Sequence, residues 1–106
     1  MPSITPPYEP DNSRAVYHLY VIRTKDRETL SEHLKSQGVF TGLHYPVPVH
    51  LQKCYREWGY GAGSLPVTER VCGEILSLPM FPGLTDDQQR RVVAGISAFA
   101  GAERTA

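Results

Sequence analysis

Apolar residues fall along this chain in short runs that predict three β-strands. The run over 15–23 is rich in β-branched and aromatic residues, which favour strands. Residues 39–45 alternate between two sides, with Phe40 and His44 on the same side. A further short apolar run, over 76–80, ends at prolines. The pattern therefore predicts a small sheet.

Apolar residues at helical spacing predict four helices between and after these strands. The first two predicted helices cover 27–37 and 49–58, the third follows Ser64 with Val67, Val71 and Ile75 on one face, and the last starts at Thr85. Leu30 and Leu34 share one face of the first helix, and Gly38 follows it as a C-terminal stop. Ser64 is the predicted cap of the third helix, and Val92, Val93, Ile96 and Phe99 form the apolar stripe of the last. That last helix starts with a capping box, in which Thr85 is followed three residues later by Gln88.

Helices that alternate with three short strands imply an α/β (α+β) sandwich. Its sheet should be small, mostly antiparallel and three-stranded, with the helices packed against it. Residues 1–14 are rich in proline and predict an extended, poorly anchored lead-in or linker. We expect residues 15–100 to form one domain and residues 101–106 a frayed tail. A chain of 106 residues is long enough for one such domain but not for two.

Charge and composition exclude several classes of protein. The 11 basic and 11 acidic residues balance, so the basic surplus that non-specific nucleic-acid binding requires is absent. Since the chain has no long apolar run, we predict no membrane span. The N-terminus does not have basic residues followed by an apolar stretch, so we predict no signal peptide and expect a cytoplasmic protein. Cys54 and Cys72 are too few for a disulfide scaffold, and we expect two reduced, mostly buried thiols.

The segment 44–50, which reads HYPVPVH, carries the candidate chemistry of the chain. Each proline fixes its own φ and keeps the residue before it out of the helical region, so the segment is extended. Such a segment can form one wall of a pocket, and imidazole and phenol groups hydrogen-bond oxygen-rich ligands. We therefore predict His44, Tyr45 and His50 as substrate-binding residues. A stiff surface connection is the alternative interpretation.

A zinc site at His44 and His50 is a weaker alternative. A stable zinc site needs three or four ligands, and acidic residues are scarce between 40 and 55. We therefore predict no metal ligands.

Four segments together resemble a known family. They read VYHLYVIR at 16–23, GVFTGLHYPVPVH at 38–50, LPVTE at 65–69 and ILSLPMFPGLT at 75–85. In this order and spacing they resemble the C-terminal small domain of DegT/StrS-type sugar aminotransferases. The segment 44–50, followed later by LSLP at 76–79, is the specific part of the resemblance.

The resemblance implies an enzyme that uses pyridoxal phosphate to transfer an amino group, usually from glutamate, to a keto-sugar nucleotide. It also implies the fold type I architecture and a homodimer with active sites at the subunit interface. In that family a large N-terminal domain supplies the Schiff-base lysine and most contacts to the cofactor. The small domain closes one side of the cleft, so His44, Tyr45 and His50 would face the substrate or the cofactor.

This sequence departs from the full family because it lacks the large domain. None of Lys25, Lys35 and Lys53 lies in a context that would desolvate it, as a Schiff-base lysine requires. We therefore expect a fragment that is inactive alone, with no catalytic or cofactor-binding residue of its own. It should expose an apolar patch and self-associate. A stand-alone module that binds a sugar phosphate or another protein is the alternative function.

Overall fold

The computed structural model describes the backbone of residues 3–105 and the side chains of residues 3–101. These residues form two strands and three α-helices, with two short 3₁₀-helices in the middle of the chain. In chain order the elements are β1 (Tyr20–Arg23), α1 (Arg27–Ser36), the 3₁₀-helices Val49–Leu51 and Lys53–Trp58, α2 (Pro66–Glu74), β2 (Ile75–Leu78) and α3 (Asp86–Thr105).

The sheet is smaller than predicted. Strands β1 and β2 pair antiparallel, with Ile22 opposite Leu76 and Val21 opposite Ser77. One isolated bridge flanks each strand, Thr5 beside Arg23 and Gly42 beside Ser77. The predicted third strand, over 39–45, therefore contributes the Gly42 bridge and not a regular strand.

The neighbours of Gly42 explain why this third strand does not form. The Val39 N–H donates to the Leu34 carbonyl and so completes the end of α1. At the other end Pro46 has no N–H to give to a ladder. Between these two constraints, Gly42 exchanges both backbone hydrogen bonds with Ser77, at 2.8 and 3.0 Å.

The first strand is shorter than the 15–23 predicted, because β1 begins only at Tyr20. Val16 is 95% exposed, and Tyr17 has a left-handed φ of 51°, which ends any extended run. Residues before Tyr20 fold back on the lead-in, where the Glu9 carboxylate accepts hydrogen bonds from the Ala15 N–H and the Tyr17 hydroxyl. Residues 15–19 have a high β propensity but no partner strand opposite them, so they do not extend β1.

The core lies between the sheet and helices α1 and α3. Leu30 and Leu34 are fully buried on one face of α1, as predicted. Leu76 of β2 is equally buried between them and α3. On α3 the predicted stripe is confirmed except at Val93, which is 55% exposed. The buried apolar cluster comprises Ile4, Ile22, Leu30, Leu34, Val39, Leu76, Val92, Ile96 and Phe99.

The start of the lead-in is anchored, against expectation. Ile4 is buried in the core, and Thr5 and Arg23 exchange two backbone hydrogen bonds of 2.9 Å each. The buried Ile4 side chain and these two hydrogen bonds together hold the segment beside the edge of β1, although the surrounding prolines form no strand. The domain boundaries at 15 and 100 stay predictions.

The helix-end signals are confirmed in part. The Gln88 N–H donates to the Thr85 hydroxyl at 3.2 Å, and the Gln88 side chain accepts from the Thr85 N–H at 2.9 Å, which completes the predicted capping box. Gly38, with φ of 78°, follows α1 as predicted. The cap predicted at Ser64 is wrong, because its hydroxyl donates to the Gly61 carbonyl and α2 begins at Pro66.

The middle of the chain differs from prediction in two further ways. The helix predicted over 49–58 is divided into two 3₁₀-helices by Gln52, whose backbone is extended. The expectation of mostly buried thiols is wrong for Cys54, which is exposed, while Cys72 is half-buried. A short 3₁₀-helix has no continuous buried face that would cover Cys54.

The end of the chain is helical as far as it is described. Helix α3 continues to Thr105, so the expected frayed tail at 101–106 has a helical backbone there. Its side chains beyond 101, and Ala106, lie outside the described residues. Within 3–105, no helix has the length and apolar character needed to cross a membrane.

Candidate functional site

His44, Tyr45 and His50, which we call the rim, project from the segment that follows the Gly42 bridge. Side chains alternate along β2, so Ser77 points to the face opposite Leu76 and Leu78. Nδ1 of His44 lies 2.8 Å from Oγ of Ser77. Ser77 is 5% exposed, whereas His44 is exposed. Strand β2 thus contacts one nitrogen of this ring, while the residue as a whole stays exposed.

Gly42 makes room for the His44 ring. A Cβ atom at position 42 would lie 2.8 Å from Cε1 of His44, closer than real Cβ contacts come. The ring therefore lies directly over the glycine. Ser77 thus holds this segment twice. Its backbone pairs with Gly42, and its side chain contacts His44.

Tyr45, like His44, is an exposed member of the rim, at 68%. Its ring meets that of His44 edge to face, with centroids 5.4 Å apart and planes at 78°. No hydrogen-bond partner of the Tyr45 hydroxyl is found within the described part of the chain. The phenol is therefore free to donate or accept toward a ligand.

His50 occupies a different environment, since it is only 7% exposed. Its Nε2 lies 3.3 Å from Oε2 of Glu69 in α2. The Tyr60 ring approaches the imidazole edge-on, with centroids 6.4 Å apart. Of the two ring nitrogens, Nδ1 alone has no partner among residues 3–105. His50 is thus an anchored, mostly inward residue and not an open member of the rim.

Glu69 joins the loop before α2 to His50. Its Oε1 accepts a hydrogen bond from the Gly63 N–H at 2.7 Å, and its Oε2 accepts one from the Leu65 N–H at 3.0 Å. The Gly63 N–H is the main cause that lowers the pKa of the Glu69 carboxyl, and the Leu65 N–H and the His50 imidazole add to it. A carboxylate accepts only, so Nε2 of His50 is the donor in their contact.

Sequence reasoning missed three residues that organise this site. Ser77 belongs to the quoted LSLP segment but carried no predicted role, although a serine flanked by leucines in a buried strand indicates a specific partner. Gly42 lies within the predicted strand over 39–45, and the pattern there indicates no other role. Glu69 lies in the third predicted helix, and its reach back to Gly63 and Leu65 has no simple sequence signal.

The residues present do not fit a covalent attachment of pyridoxal phosphate. Lys25, Lys35 and Lys53 are all exposed, and an exposed amine is not desolvated as a Schiff-base lysine must be. Within the described residues, no group of three or more His, Cys, Asp or Glu side chains could hold a metal ion. The arrangement offers hydrogen-bonding groups for a ligand.

Comparison with known proteins gives a consistent match. Residues 1–97 match the model of the DegT/DnrJ/EryC1/StrS aminotransferase family. The chain is 44% identical over 96 residues to the pleiotropic regulatory protein of Geobacillus stearothermophilus, covering 91% of this chain and 26% of that protein. It is 38% identical over 100 residues to the dTDP-3-amino-3,4,6-trideoxy-alpha-D-glucose transaminase of Streptomyces venezuelae, covering 94% and 26%.

Two solved structures show the same fold. DesV of S. venezuelae, in complex with a ketimine intermediate, superposes with a TM-score of 0.89 at 38% identity, covering 93% of this chain and 27% of DesV. NtdA of Bacillus subtilis, with bound cofactor PMP, superposes with a TM-score of 0.75 at 30% identity, covering 91% and 22%. The chain thus spans about a quarter of the length of the proteins it matches.

The family match takes in all four segments that carry the resemblance, from the β1 run to the residues after β2. The structure brings these segments into contact, since β1 pairs with β2, Gly42 and His44 contact Ser77, and His50 contacts Glu69. By sequence and by fold, this chain belongs to the DegT/DnrJ/EryC1/StrS aminotransferase family.

Proposed function

We propose that this chain is the C-terminal small domain of a pyridoxal-phosphate-dependent aminotransferase that transfers an amino group to a keto-sugar nucleotide. The observation that carries the proposal is the superposition on DesV over 93% of the chain, with a TM-score of 0.89. The similar S. venezuelae relative is a transaminase of a dTDP-linked amino sugar, which supports the substrate class. Glutamate as amino donor and a homodimer complete the proposal by analogy with the family.

In this proposal the chain binds and orients, and the rest of the protein holds the cofactor. His44 and Tyr45 expose polar groups on one face and would contact the sugar nucleotide. His50, whose Nε2 is bound to Glu69, would contribute through Nδ1 and by holding the loop 59–65. The three exposed lysines leave the Schiff base to a residue outside this chain.

A chimeric enzyme tests the role of the rim. The matching quarter of the S. venezuelae transaminase is replaced by this chain, and turnover of its nucleotide sugar is measured together with cofactor absorbance as a check on assembly. We expect an active chimera, in which His44→Ala lowers kcat/KM about tenfold because a hydrogen bond to the substrate is lost. His18→Ala is the matched control, since His18 is also an exposed histidine. A His44→Ala chimera as active as its parent would contradict the proposal.

Borohydride trapping tests the absence of a Schiff-base lysine. The isolated chain is mixed with pyridoxal phosphate, reduced with borohydride and digested for mass spectrometry. We expect only weak, scattered labelling of Lys25, Lys35 and Lys53, because all three amines are solvated. Stoichiometric labelling of one of them would overturn this part of the proposal.

The stand-alone binding module remains the second candidate, favoured by the solvent exposure of His44 and Tyr45 in the chain by itself. Calorimetry with nucleotide sugars separates the two functions. We expect no micromolar binding, since a ligand pocket normally encloses most of the ligand surface and the rim supplies one wall. Micromolar affinity of the isolated chain would favour the module.

A further inference from the structure

We propose that Ser77 is a positioning residue for His44: its hydroxyl donates to Nδ1, fixes the imidazole as the Nε2–H tautomer and directs that N–H outward. The importance of this arrangement for catalysis rests on the function proposed above. The arrangement itself is a property of this chain and can be measured without the rest of the enzyme. Three observations carry it: the burial of Ser77, the 2.8 Å contact of its hydroxyl with Nδ1 of His44, and the close approach of the ring to Gly42.

The need of the Ser77 hydroxyl for an acceptor determines which ring nitrogen of His44 carries the hydrogen. The Ser77 side chain is 5% exposed, so its hydroxyl hydrogen cannot rely on bulk water and needs an acceptor in the protein. Its partner within the described residues is Nδ1 of His44, at 2.8 Å. If Nδ1 carried a hydrogen and donated to Ser77, the buried hydroxyl hydrogen would have no acceptor. The neutral ring therefore accepts at Nδ1 and carries its hydrogen on Nε2.

Gly42 makes this orientation possible because it leaves space for the His44 ring. The ring lies over the glycine so closely that a Cβ atom would stand 2.8 Å from Cε1. Because Gly42 is paired by two backbone hydrogen bonds to Ser77, the serine, the glycine and the ring form one compact unit. Any side chain at position 42 would push the imidazole away from the hydroxyl.

The two histidines of the rim then offer opposite chemistry. His50 donates its Nε2 hydrogen to Glu69 and keeps Nδ1 as an acceptor. His44 accepts at Nδ1 and keeps Nε2–H as a donor on the exposed side. An outward, neutral N–H suits an oxygen acceptor such as a hydroxyl or phosphate oxygen of a nucleotide sugar. The buried serine thus decides which kind of atom His44 recognises.

Nuclear magnetic resonance on the intact, ¹⁵N-labelled chain tests the arrangement directly. At about pH 8.5, above the ordinary histidine pKa of about 6.5, long-range ¹H–¹⁵N correlations report the tautomer of a neutral ring. We expect the Nε2–H form, together with a nuclear Overhauser contact between Hε1 of His44 and Hα of Gly42. The Nδ1–H form in the unmodified chain would overturn the proposal without any mutation.

Two variants should disturb the ring by different routes. Ser77→Ala removes the donor, and Gly42→Ala displaces the ring, so each should lose the contact to residue 42 and the tautomer preference. Ser36→Ala is the control for the first, because it removes a hydroxyl that donates to the His33 carbonyl at 2.6 Å, at the end of α1. Gly73→Ala is the control for the second, because no atom lies within 4 Å of a Cβ there. A Ser77→Ala chain that keeps both signals contradicts the proposal.

The chimera provides a functional readout that separates this inference from the proposed function. There, Ser77→Ala should raise KM for the nucleotide sugar about threefold to tenfold with a smaller change in kcat, and Ser77→Thr should restore it. In a chimera whose kcat/KM is lowered by His44→Ala, an unchanged KM of Ser77→Ala overturns the positioning role. If His44→Ala has no effect on turnover while the tautomer is as expected, the proposed function of the rim fails and the orientation stands.

Discussion

Glu69 collects three donors from separate parts of the chain: the N–H groups of Gly63 and Leu65 and the imidazole of His50. A single carboxylate therefore replaces the side-chain cap that α2 lacks and holds the loop against the segment 44–50. At the scale of single residues, the site depends on such side chains as much as on the rim. Ser77 does the same for His44.

The pH dependence of stability should reveal the Glu69 contacts. Hydrogen bonds, chiefly from the Gly63 N–H, lower the pKa of this carboxyl below its usual 4.5. Its contribution to the free energy of unfolding is therefore complete above the unfolded pKa and is lost as pH falls through the lower, folded pKa. We expect urea midpoints of the parent chain and of Glu69→Gln to differ most at about pH 7 and to converge in acid.

Glu57→Gln is the matched control, because Glu57 is an exposed carboxyl in the neighbouring 3₁₀-helix. A difference between the parent chain and Glu69→Gln that grows as pH falls would contradict the assigned direction. Amide hydrogen exchange adds a local check, since Gly63 and Leu65 should exchange faster in Glu69→Gln.

Among the helices, the start of α3 and the end of α2 are stabilised by different kinds of hydrogen bond. Helix α3 starts with a local capping box, whereas the end of α2 is held by a distant residue. The Arg27 guanidinium, at the start of α1, donates to the Cys72 carbonyl at 2.6 Å and to the Ile75 carbonyl at 3.4 Å. Its charge also complements the negative end of the α2 dipole. This contact sets where α2 stops and β2 begins.

Loss of the capping box should weaken the chain by a small, measurable amount. In Thr85→Ala the Gln88 N–H loses its side-chain acceptor, which we expect to cost about 1 kcal/mol in the free energy of unfolding. Urea denaturation measures it. Thr68→Ala, an exposed threonine within α2, should cost nothing because alanine is the better helix former. Equal midpoints for the two variants would show that the box contributes little.

Arg27 should matter more than an exposed arginine of the same charge. Its side chain is 12% exposed, so Arg27→Gln leaves the part-buried Cys72 and Ile75 carbonyls with weaker partners, at a cost of about 1.5–3 kcal/mol. Arg90→Gln breaks a solvent-exposed pair with Asp87, which is worth below about 1 kcal/mol. Thermal and urea unfolding of both variants would measure the two losses in the free energy of unfolding. A larger loss for Arg90→Gln would refute the ranking.

At the scale of the molecule, the segment 45–67 leaves many large apolar side chains in solvent. Among them are Tyr45 at 68%, Val49 at 60%, Trp58 at 63%, Tyr60 at 52% and Val67 at 64% exposed. A monomer gains nothing from leaving aromatic side chains such as these in water, because burying them is favourable. Tyr45 belongs to the rim and Tyr60 contacts His50, so this surface adjoins the rim. That agrees with a surface that the rest of the enzyme covers in the proposed function.

The isolated chain should therefore self-associate through this segment. Sedimentation velocity over increasing concentration should show the sedimentation coefficient rising, and Trp58→Glu should shift that rise to higher concentration by removing apolar area. Val16→Glu is the control, because Val16 is 95% exposed but lies far along the chain from 45–67. A sedimentation coefficient that does not change with concentration would contradict the prediction.

Sequence by itself determined the features that depend on neighbours along the chain. The capping box at Thr85, the stop at Gly38 and the buried face of Leu30 and Leu34 all follow from local hydrogen bonds and helical period. The family also followed, because its motifs are specific in order and spacing. Strand extents did not, because a strand extends only as far as a partner pairs with it.

The tertiary structure decided the site. His44 contacts Ser77, which is 33 residues away in the sequence, and His50 contacts Glu69, which is 19 residues away. No local sequence pattern predicts either contact. Those contacts make one histidine an exposed donor and the other an anchored acceptor, although both are imidazoles on the same short segment. The residue types supplied the hydrogen-bonding groups, and the packing of distant strands and helices chose which nitrogen of each ring remains available.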